Sequence, residues 1–396
     1  GRSMNSFTFY TPTEIIFGKG AEKQTAKAVK KHDGQRVLLV FGGGSVKKSG
    51  LLDRIERNFQ KEGIAFEEFG GAQPNPLMSH ARAGVRAAAK FGADFILGVG
   101  GGSAIDTAKA IAHGAANLDI DIAEFWSGKR AVERSLPVGA VLTIAAAGSE
   151  TSNSAVLTNE ETGKKGGINT DFNRPVFAIM NPELTYTLPR QQLACGIADI
   201  MMHTLDRYFT HETGNAFTDR VAEALLKNVV HYARLAMTNH RDYEAMSELM
   251  WCGSVSHNGF TGLGRTMDFG VHKLGHELSA RFDVTHGASL TAMWGAWARY
   301  VYEDAPERFA QYAEKVWDVC VGTVEERARA GIRETENFWR SLGLPLSLDE
   351  LGVGVQDEEE LACLADMCTD KGKKTVGVFH PIDRETALAI YRLANH

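Results

Sequence analysis

DFILGVGGGSAIDTAKAIAHGAA, residues 94–116, is a short apolar run that breaks into three glycines and a serine and then resumes with helix-forming composition. Asp94–Val99 reads as a buried strand, since a strand covered on both faces carries a continuous apolar run rather than an alternating one. Gly100, Gly101 and Gly102 remove the Cβ atoms that would keep a ligand from the backbone, and Ser103 leads into a helix over Ala104–Ala116. A helix starting there offers unpaired N–H groups and a partial positive charge, which suit a phosphate. The spacing is not the GxGxxG of the ordinary dinucleotide fold. Asp106, three residues past Ser103, reads either as a first-turn carboxylate complementing the helix dipole or as a cofactor contact.

Working outward, Arg36–Phe41 (RVLLVF) is a second apolar run, and Gly42, Gly43, Gly44 and Ser45 follow it. A carboxylate at the end of such a strand ordinarily selects the free 2′-hydroxyl of NAD. Here the turn offers backbone donors and Ser45, with Lys47 and Lys48 just beyond, which leaves room for a 2′-phosphate and favours NADP(H). Further strands are expected at Ala65–Phe69, Val138–Ile144 and Val176–Met180, and helices at Ala21–Lys31, Leu51–Gly63 and Ser79–Phe91. This alternation predicts a parallel sheet with helices on both faces: an α/β, Rossmann-like dinucleotide-binding domain over residues 4–188. Phe7–Phe17 reads as a strand or hairpin whose place at the terminus suits edge pairing between subunits, as in a homodimer, without any residue pattern that requires one.

From Pro189 the period changes to 3.6. Gln191–Tyr208, Asn215–Thr238, Arg241–His257, Met267–Phe282, Ala288–Glu303, Pro306–Val321, Thr323–Leu342, Glu358–Thr369 and Asp383–Ala394 all read as helices, giving an all-α domain over residues 189–396. Two domains suit 396 residues, and 44% apolar composition is ample for their cores. A net charge of −6 argues against nucleic acid as a partner. The apolar runs are too short and too glycine-interrupted for a membrane span. Five widely spaced cysteines form no disulfide framework and read as reduced thiols of a cytoplasmic protein. No secretory signal is visible, and the three residues ahead of Met4 read as a vector-derived remnant.

Within the helical half, FGVHKLGHELSARFDVTHG (269–287) carries His272, His276 and His286. The first two stand four apart, on one helical face; His286 sits in a THG that reads as the end of a loop. IADIMMH supplies a second i,i+4 pair, Asp199 and His203. A carboxylate with imidazoles presented by helices suits Zn²⁺ or Fe²⁺. His276-Glu277 does not open an HExxH motif, because position 280 is Ala280.

The GGGSxxD stretch, TIAAAGSE at 143–150, D-x₃-H at 199–203 and H-x₃-H-x₉-H at 272–286 occur in an order that resembles the iron-containing (group III) alcohol dehydrogenases. The likeness runs from about residue 7 to the C-terminus and looks strongest to the NADP-linked butanol dehydrogenase and broad-range aldehyde reductase branch. It implies a dehydroquinate synthase-like architecture in which Asp199, His203, His272 and His286 bind one divalent metal, Fe²⁺ or Zn²⁺. It places His276 near the substrate. It also implies that Gly101, Gly102, Ser103 and Asp106 serve the pyrophosphate and nicotinamide region, that Thr143, Ser149, Ser152 and Lys165 line the rest of the cleft, and that Gly42, Gly43 and Ser45 face the 2′-phosphate. The family commonly has Thr-Gly-Ser-Glu where this chain has Ala147-Gly148-Ser149-Glu150, so one hydroxyl is missing while Thr143 and Ser149 remain. Four protein ligands leave the substrate oxygen to enter as a fifth, which Fe²⁺ accepts more easily than Zn²⁺.

The expected activity is therefore that of an NADP(H)-dependent alcohol dehydrogenase or aldehyde reductase acting on small primary alcohols such as butanol, in a cleft between the two domains. The metal would serve as a Lewis acid on the aldehyde oxygen, hydride would come from the nicotinamide, and a water or His276 would deliver the proton. The residues near the metal segments, Met201, Met202, Phe260, Leu263, Met267 and Phe269, are apolar, with Arg265 the exception. That favours aldehydes over the sugar phosphates that a dehydroquinate synthase-like reaction would call for. Glycerol dehydrogenase chemistry on the same fold, a metal-dependent hydrolase and a non-enzymatic dinucleotide- or metal-binding module are the alternatives. A hydrolase would leave both glycine turns without a role.

Overall fold

Val37, Leu39, Phe41, Phe95, Leu97 and Val99 pack into one buried cluster, while Leu38, Val40 and Ile96 pack into another. Alternate residues of a strand face opposite sides, so the two apolar runs form strands covered on both faces. The computed structural model describes residues 4–396 and bears this out. Strands β1 (Glu14–Phe17), β2 (Arg36–Phe41), β3 (Ala65–Phe69), β4 (Phe95–Gly100), β5 (Val138–Leu142) and β8 (Phe177–Met180) form one parallel sheet in the order β1-β8-β5-β4-β2-β3. Helices α1 (Thr25–Lys31) and α3 (Leu51–Lys61) cover one face through Ala26, Val29, Ile55 and Phe59. α4 (Met78–Phe91) and α5 (Gly102–Ala116) cover the other through Ala88, Ala108, Ile111 and Ala112. Two single-turn helices, α2 (Ser45–Lys48) and α6 (Ala123–Trp126), complete the set.

The connections leave β2 toward β3 on one side and β4 toward β5 on the other. The sheet therefore reverses direction between β2 and β4, the strands that carry the two glycine turns. Ligands of open α/β sheets bind at the carboxyl ends of strands at such a reversal.

Two features differ from the sequence expectation. The strand expected at Phe7–Phe17 is only Glu14–Phe17, paired in parallel with β8 at the sheet edge; Pro12 lacks the N–H a longer ladder would need. An antiparallel hairpin, β6 (Ser154–Asn159) and β7 (Lys164–Asn169), was not expected, because Gly166 and Gly167 erase the alternation that marks a strand.

The helical unit contains α7 (Arg190–Tyr208), α8 (Ala216–Thr238), α10 (Gly270–Phe282), α11 (His286–Val301), α12 (Pro306–Trp317), α13 (Val324–Ser341), α14 (Leu348–Leu351), α15 (Glu358–Thr369) and α16 (Arg384–Ala394). Its core is aromatic: Phe209 stacks on Phe309 at 4.2 Å, and Trp294 meets Trp339 edge-on at 5.4 Å. A single cut at residue 188 does not describe the division into compact units. Residues 4–9 group with the helices, while His240–Ser254, which includes most of α9 (Tyr243–His257), groups with the sheet. Asn5 N–H donates to Asn215 Oδ1 at 2.6 Å, and Gly148 N–H donates to the Gly253 carbonyl at 3.0 Å. No helix among the described residues is long and apolar enough to cross a membrane.

His113 on α5 is fully buried, with Nδ1 2.8 Å from Ser135 Oγ and Nε2 2.7 Å from Asn173 Oδ1. Burial pushes its imidazole down from 6.5 to about 4. Between those values the unfolded chain takes up a proton that the folded chain refuses. The associated stability is present above the unfolded value and is lost as pH falls toward the folded one, about 3 kcal/mol in all. In His113→Gln, urea midpoints measured across this range should fall less steeply with acid, by about one proton. An acid limb identical to that of the unsubstituted chain would remove His113 from this role.

Candidate metal centre and cofactor turns

Asp199 and His203 lie one turn apart on α7, His272 lies on α10, and His286 is the first residue of α11 rather than the end of a loop. Close packing of helices brings them together. A Cβ on Gly287 would lie 2.2 Å from the Cys195 carbonyl oxygen, so only glycine lets α11 start this close to α7. α10 begins three residues later than its apolar pattern suggests, because Phe269 takes a left-handed φ of 57°. The Asp268 carboxylate fixes that start by accepting N–H bonds from Gly270, Val378 and Phe379 at 2.8–2.9 Å.

One ligand atom from each of Asp199, His203, His272 and His286 falls within 4.8 Å of all the others. Asp199 Oδ1 is 3.1 Å from His286 Nε2, 3.5 Å from His203 Nε2 and 3.9 Å from His272 Nε2. The Nε2 atoms of His203 and His272 approach to 3.2 Å. His276 is buried next to this group, its ring centroid 6.1 Å from that of His272 and 5.7 Å from that of His286, but it is not one of the four.

The electrostatics suit a cation. Burial alone would raise the Asp199 carboxyl, yet the charges of His286 and His203 outweigh it and hold Asp199 well below the ordinary carboxylate range. Burial, then the charges of His257 and His272, hold His203 well below an ordinary imidazole. Asp199 Oδ1 is sealed from solvent and takes no well-formed hydrogen bond among the described residues. A buried, ionised oxygen without a donor is costly. Three imidazole nitrogens and that oxygen are the donor set Fe²⁺ or Zn²⁺ takes. The residues fit a divalent metal.

Sequence reasoning missed the groups that hold these ligands. The Asp206 carboxylate is hydrogen-bonded to His272 Nδ1, which places the ring proton there and leaves the Nε2 lone pair facing the centre. Arg207 Nη1 donates to the His203 carbonyl at 2.7 Å, and the His257 ring stacks on His203 at 3.8 Å. One signal was available: Asp206 lies seven residues beyond Asp199, two turns along the same face of α7.

In the α/β unit the two glycine turns sit at the ends of β2 and β4, which pair with Phe41 opposite Val99. Gly101 is glycine for packing, since a Cβ there would lie 2.6 Å from Ile144 Cδ1; at Gly102 and Gly43 a Cβ would meet nothing within 4 Å, which leaves those backbones open to a ligand. Gly42 closes on the Ala72 carbonyl, and Ser45 starts α2. Ser103 follows Gly102 in the first turn of α5, and Thr143 N–H extends the sheet by donating to the Gly100 carbonyl at 3.0 Å.

Asp106 spends its oxygens inside the protein, accepting from Ser149 Oγ at 2.5 Å and from Val156 N–H at 3.0 Å. Lys109, not singled out in the sequence, is fully buried with Nζ 2.6 Å from the Ser149 carbonyl, 2.8 Å from the Ser154 carbonyl and 3.1 Å from Ser149 Oγ. Burial pushes this ammonium down to about 8, against the opposing pull of Asp106 and Glu150. Ser152 is buried in the same segment, and Lys165 on β7 donates to Asn75 Oδ1 at 2.9 Å.

Asp206→Asn keeps the shape of the side chain and removes its charge. Metal affinity, measured by competition with a chromophoric chelator, should fall about 10–100-fold. An unchanged affinity would mean that Asp206 does not set the His272 ring.

Comparison with known proteins matches both halves of the chain. The family model described as iron-containing alcohol dehydrogenase covers residues 12–182, and that of the Fe-containing alcohol dehydrogenase family C-terminal region covers residues 193–395. NADH-dependent butanol dehydrogenase A of Clostridium acetobutylicum is 37% identical over 391 residues, 98% of this chain and 99% of that protein. NADPH-dependent aldehyde reductase YqhD of Escherichia coli is 35% identical over 395 residues, 99% of this chain and 100% of that protein. The crystal structure of NADH-dependent butanol dehydrogenase A from Thermotoga maritima superposes with a TM-score of 0.95 at 33% identity over the whole of both chains. The chain is an oxidoreductase of the iron-containing alcohol dehydrogenase family.

Proposed function

We propose that this chain interconverts small aldehydes and primary alcohols, butyraldehyde and butanol among them, with NADP(H) as hydride carrier and one divalent metal, Fe²⁺ or Zn²⁺, at Asp199, His203, His272 and His286. The observation that carries the reading is the convergence of those four donor atoms within 4.8 Å. When bound, the metal supplies a Lewis acid for the substrate oxygen. Asp206 keeps the His272 proton on Nδ1. His276, beside the donors but outside their set, is the side chain we assign to proton exchange with the substrate oxygen.

The charges nearby support this substrate class. Arg265 is the one cation of the apolar segment 260–269, and its Nη2 is committed to Asp219 and to the Gly214 carbonyl at 3.1 Å. Its side chain is only 1% exposed, which leaves it poorly placed to receive a sugar phosphate and disfavours a synthase-like reaction. Met201 and Met202, expected to line the pocket, are fully buried instead; Met201 Sδ lies 3.4 Å from Trp339 Nε1. A turn after β2 without an acid, together with Lys47 and Lys48, supports NADP(H) over NAD(H). We also take the edge strand β1, with Phe17 exposed, as the contact of a homodimer.

The test is reduced-cofactor oxidation with butyraldehyde, run with NADPH and NADH in parallel, before and after chelation and after return of Fe²⁺ or Zn²⁺. Turnover that disappears on chelation, returns with one of the metals and is faster with NADPH is the expected result. No turnover with any aldehyde, or turnover in protein that elemental analysis shows to be metal-free, would overturn the reading.

A further inference from the structure

No carboxylate stands in the turn Gly42–Ser45, but the fold brings one to it from the neighbouring strand. β3 pairs in parallel with β2, with Leu39 opposite Glu68, so Glu68 lies near the carboxyl end of the strand next to the turn. The chain after β3 is tied to the same place: Gly71 N–H donates to the Gly42 carbonyl at 2.9 Å, and Ala72 N–H donates to the Phe41 carbonyl at 3.1 Å. Across this junction Lys47 Nζ lies 2.8 Å from Glu68 Oε1 and 5.5 Å from the centroid of the Phe41 ring. Lys47 is two residues past Ser45, on the single turn of α2. One of the two lysines beyond the turn is therefore already paired.

A second acid stands behind the pair. Glu56 on α3 shares a hydrogen bond with Glu68, and its Oε1 is sealed from solvent with no partner among the described residues. Two carboxyls in contact hold a proton between them. Burial and then Glu68 push Glu56 up to about 7. Glu68 is thus fixed from both sides, by Lys47 and by Glu56, rather than swinging freely in solvent.

We propose that Glu68 and Lys47 together set the discrimination between NADPH and NADH, Lys47 being the cation that a 2′-phosphate recruits and Glu68 the acid that competes for it. The inference rests on the reading of the Gly42–Ser45 turn as the 2′ end of the cofactor site. An exposed ion pair is weak, and the lysine stem is flexible, so a phosphate can draw Lys47 away. Doing so leaves Glu68 without its cation, held only by Glu56 and facing a like charge, which holds the preference for NADPH down. With NADH the pair stays intact, and Glu68 is the kind of acid that accepts a bond from a 2′-hydroxyl. The site then takes both cofactors, in a ratio that Glu68 tunes.

Equilibrium dissociation constants for NADPH and NADH, measured by nicotinamide fluorescence on the full chain without substrate, test this directly. In Glu68→Gln the affinity ratio of NADPH to NADH should rise about 3–10-fold, and in Lys47→Met it should fall by a similar factor. In the double variant the two changes should not simply add, because part of each residue's effect passes through the other. A ratio unchanged in Glu68→Gln, or both affinities moving equally, overturns the proposal. Failure of the unsubstituted chain to bind either cofactor would overturn the cofactor reading itself, a result separable from the first because it needs no variant. Both side chains are partly exposed, and thermal melting confirms that the variants fold.

Discussion

One sealed carboxylate oxygen, Asp199 Oδ1, ringed by the imidazole nitrogens of His203, His272 and His286, is the constraint around which the helical unit is built. Asp199 cannot be left ionised in the interior without compensation, and the three imidazoles around it supply only part of that. Each neighbouring feature makes sense as a means of holding the imidazole nitrogens on that oxygen. Gly287 lets α11 begin against α7. The left-handed turn at Phe269, fixed by the Asp268 carboxylate, sets where α10 begins and so which face presents His272. Asp206 and Arg207 hold two of the rings or their backbones from behind. A bound cation would complete the balance.

The α/β unit solves a different problem, which is to shape an irregular segment without a helix or strand. The carbonyl oxygens of Ser149 and Ser154, at the two ends of this segment, turn toward Lys109, which gathers them with one buried ammonium. Asp106 fastens the same segment to the β6–β7 hairpin through Ser149 and Val156. The polar residues of the GGGSAIDTAK stretch therefore divide their work: Gly102 and Ser103 leave a helix start open, while Asp106 and Lys109 organise the segment beside it.

The sheet was legible because strands buried on both faces leave continuous apolar runs, and β2, β4, β5 and β8 have them. The candidate metal donors Asp199, His203 and His272 were legible because Asp199–His203 and His272–His276 obey helical spacing, although spacing alone could not separate His276 from the set. What escaped notice depends on contacts between distant segments. Asp206 matters because it meets His272, 66 positions away; Glu68 matters because β3 lies beside β2. The overlong reading of Phe7–Phe17 followed aromatic and β-branched composition past Pro12, and the β6–β7 hairpin hid behind its glycines. The turn after β2 offers only backbone donors, Ser45 and lysines of its own; the acid belongs to another strand.

The central claim is that Asp199, His203, His272 and His286 hold one divalent metal. Calorimetric titration of chelator-stripped protein with Zn²⁺, repeated anaerobically with Fe²⁺, tests it most directly when His272→Ala is run beside the unsubstituted chain. The account predicts one tightly bound ion per chain and loss of that site in His272→Ala. No tight site in the unsubstituted chain, or the same stoichiometry and affinity in the variant, would contradict it.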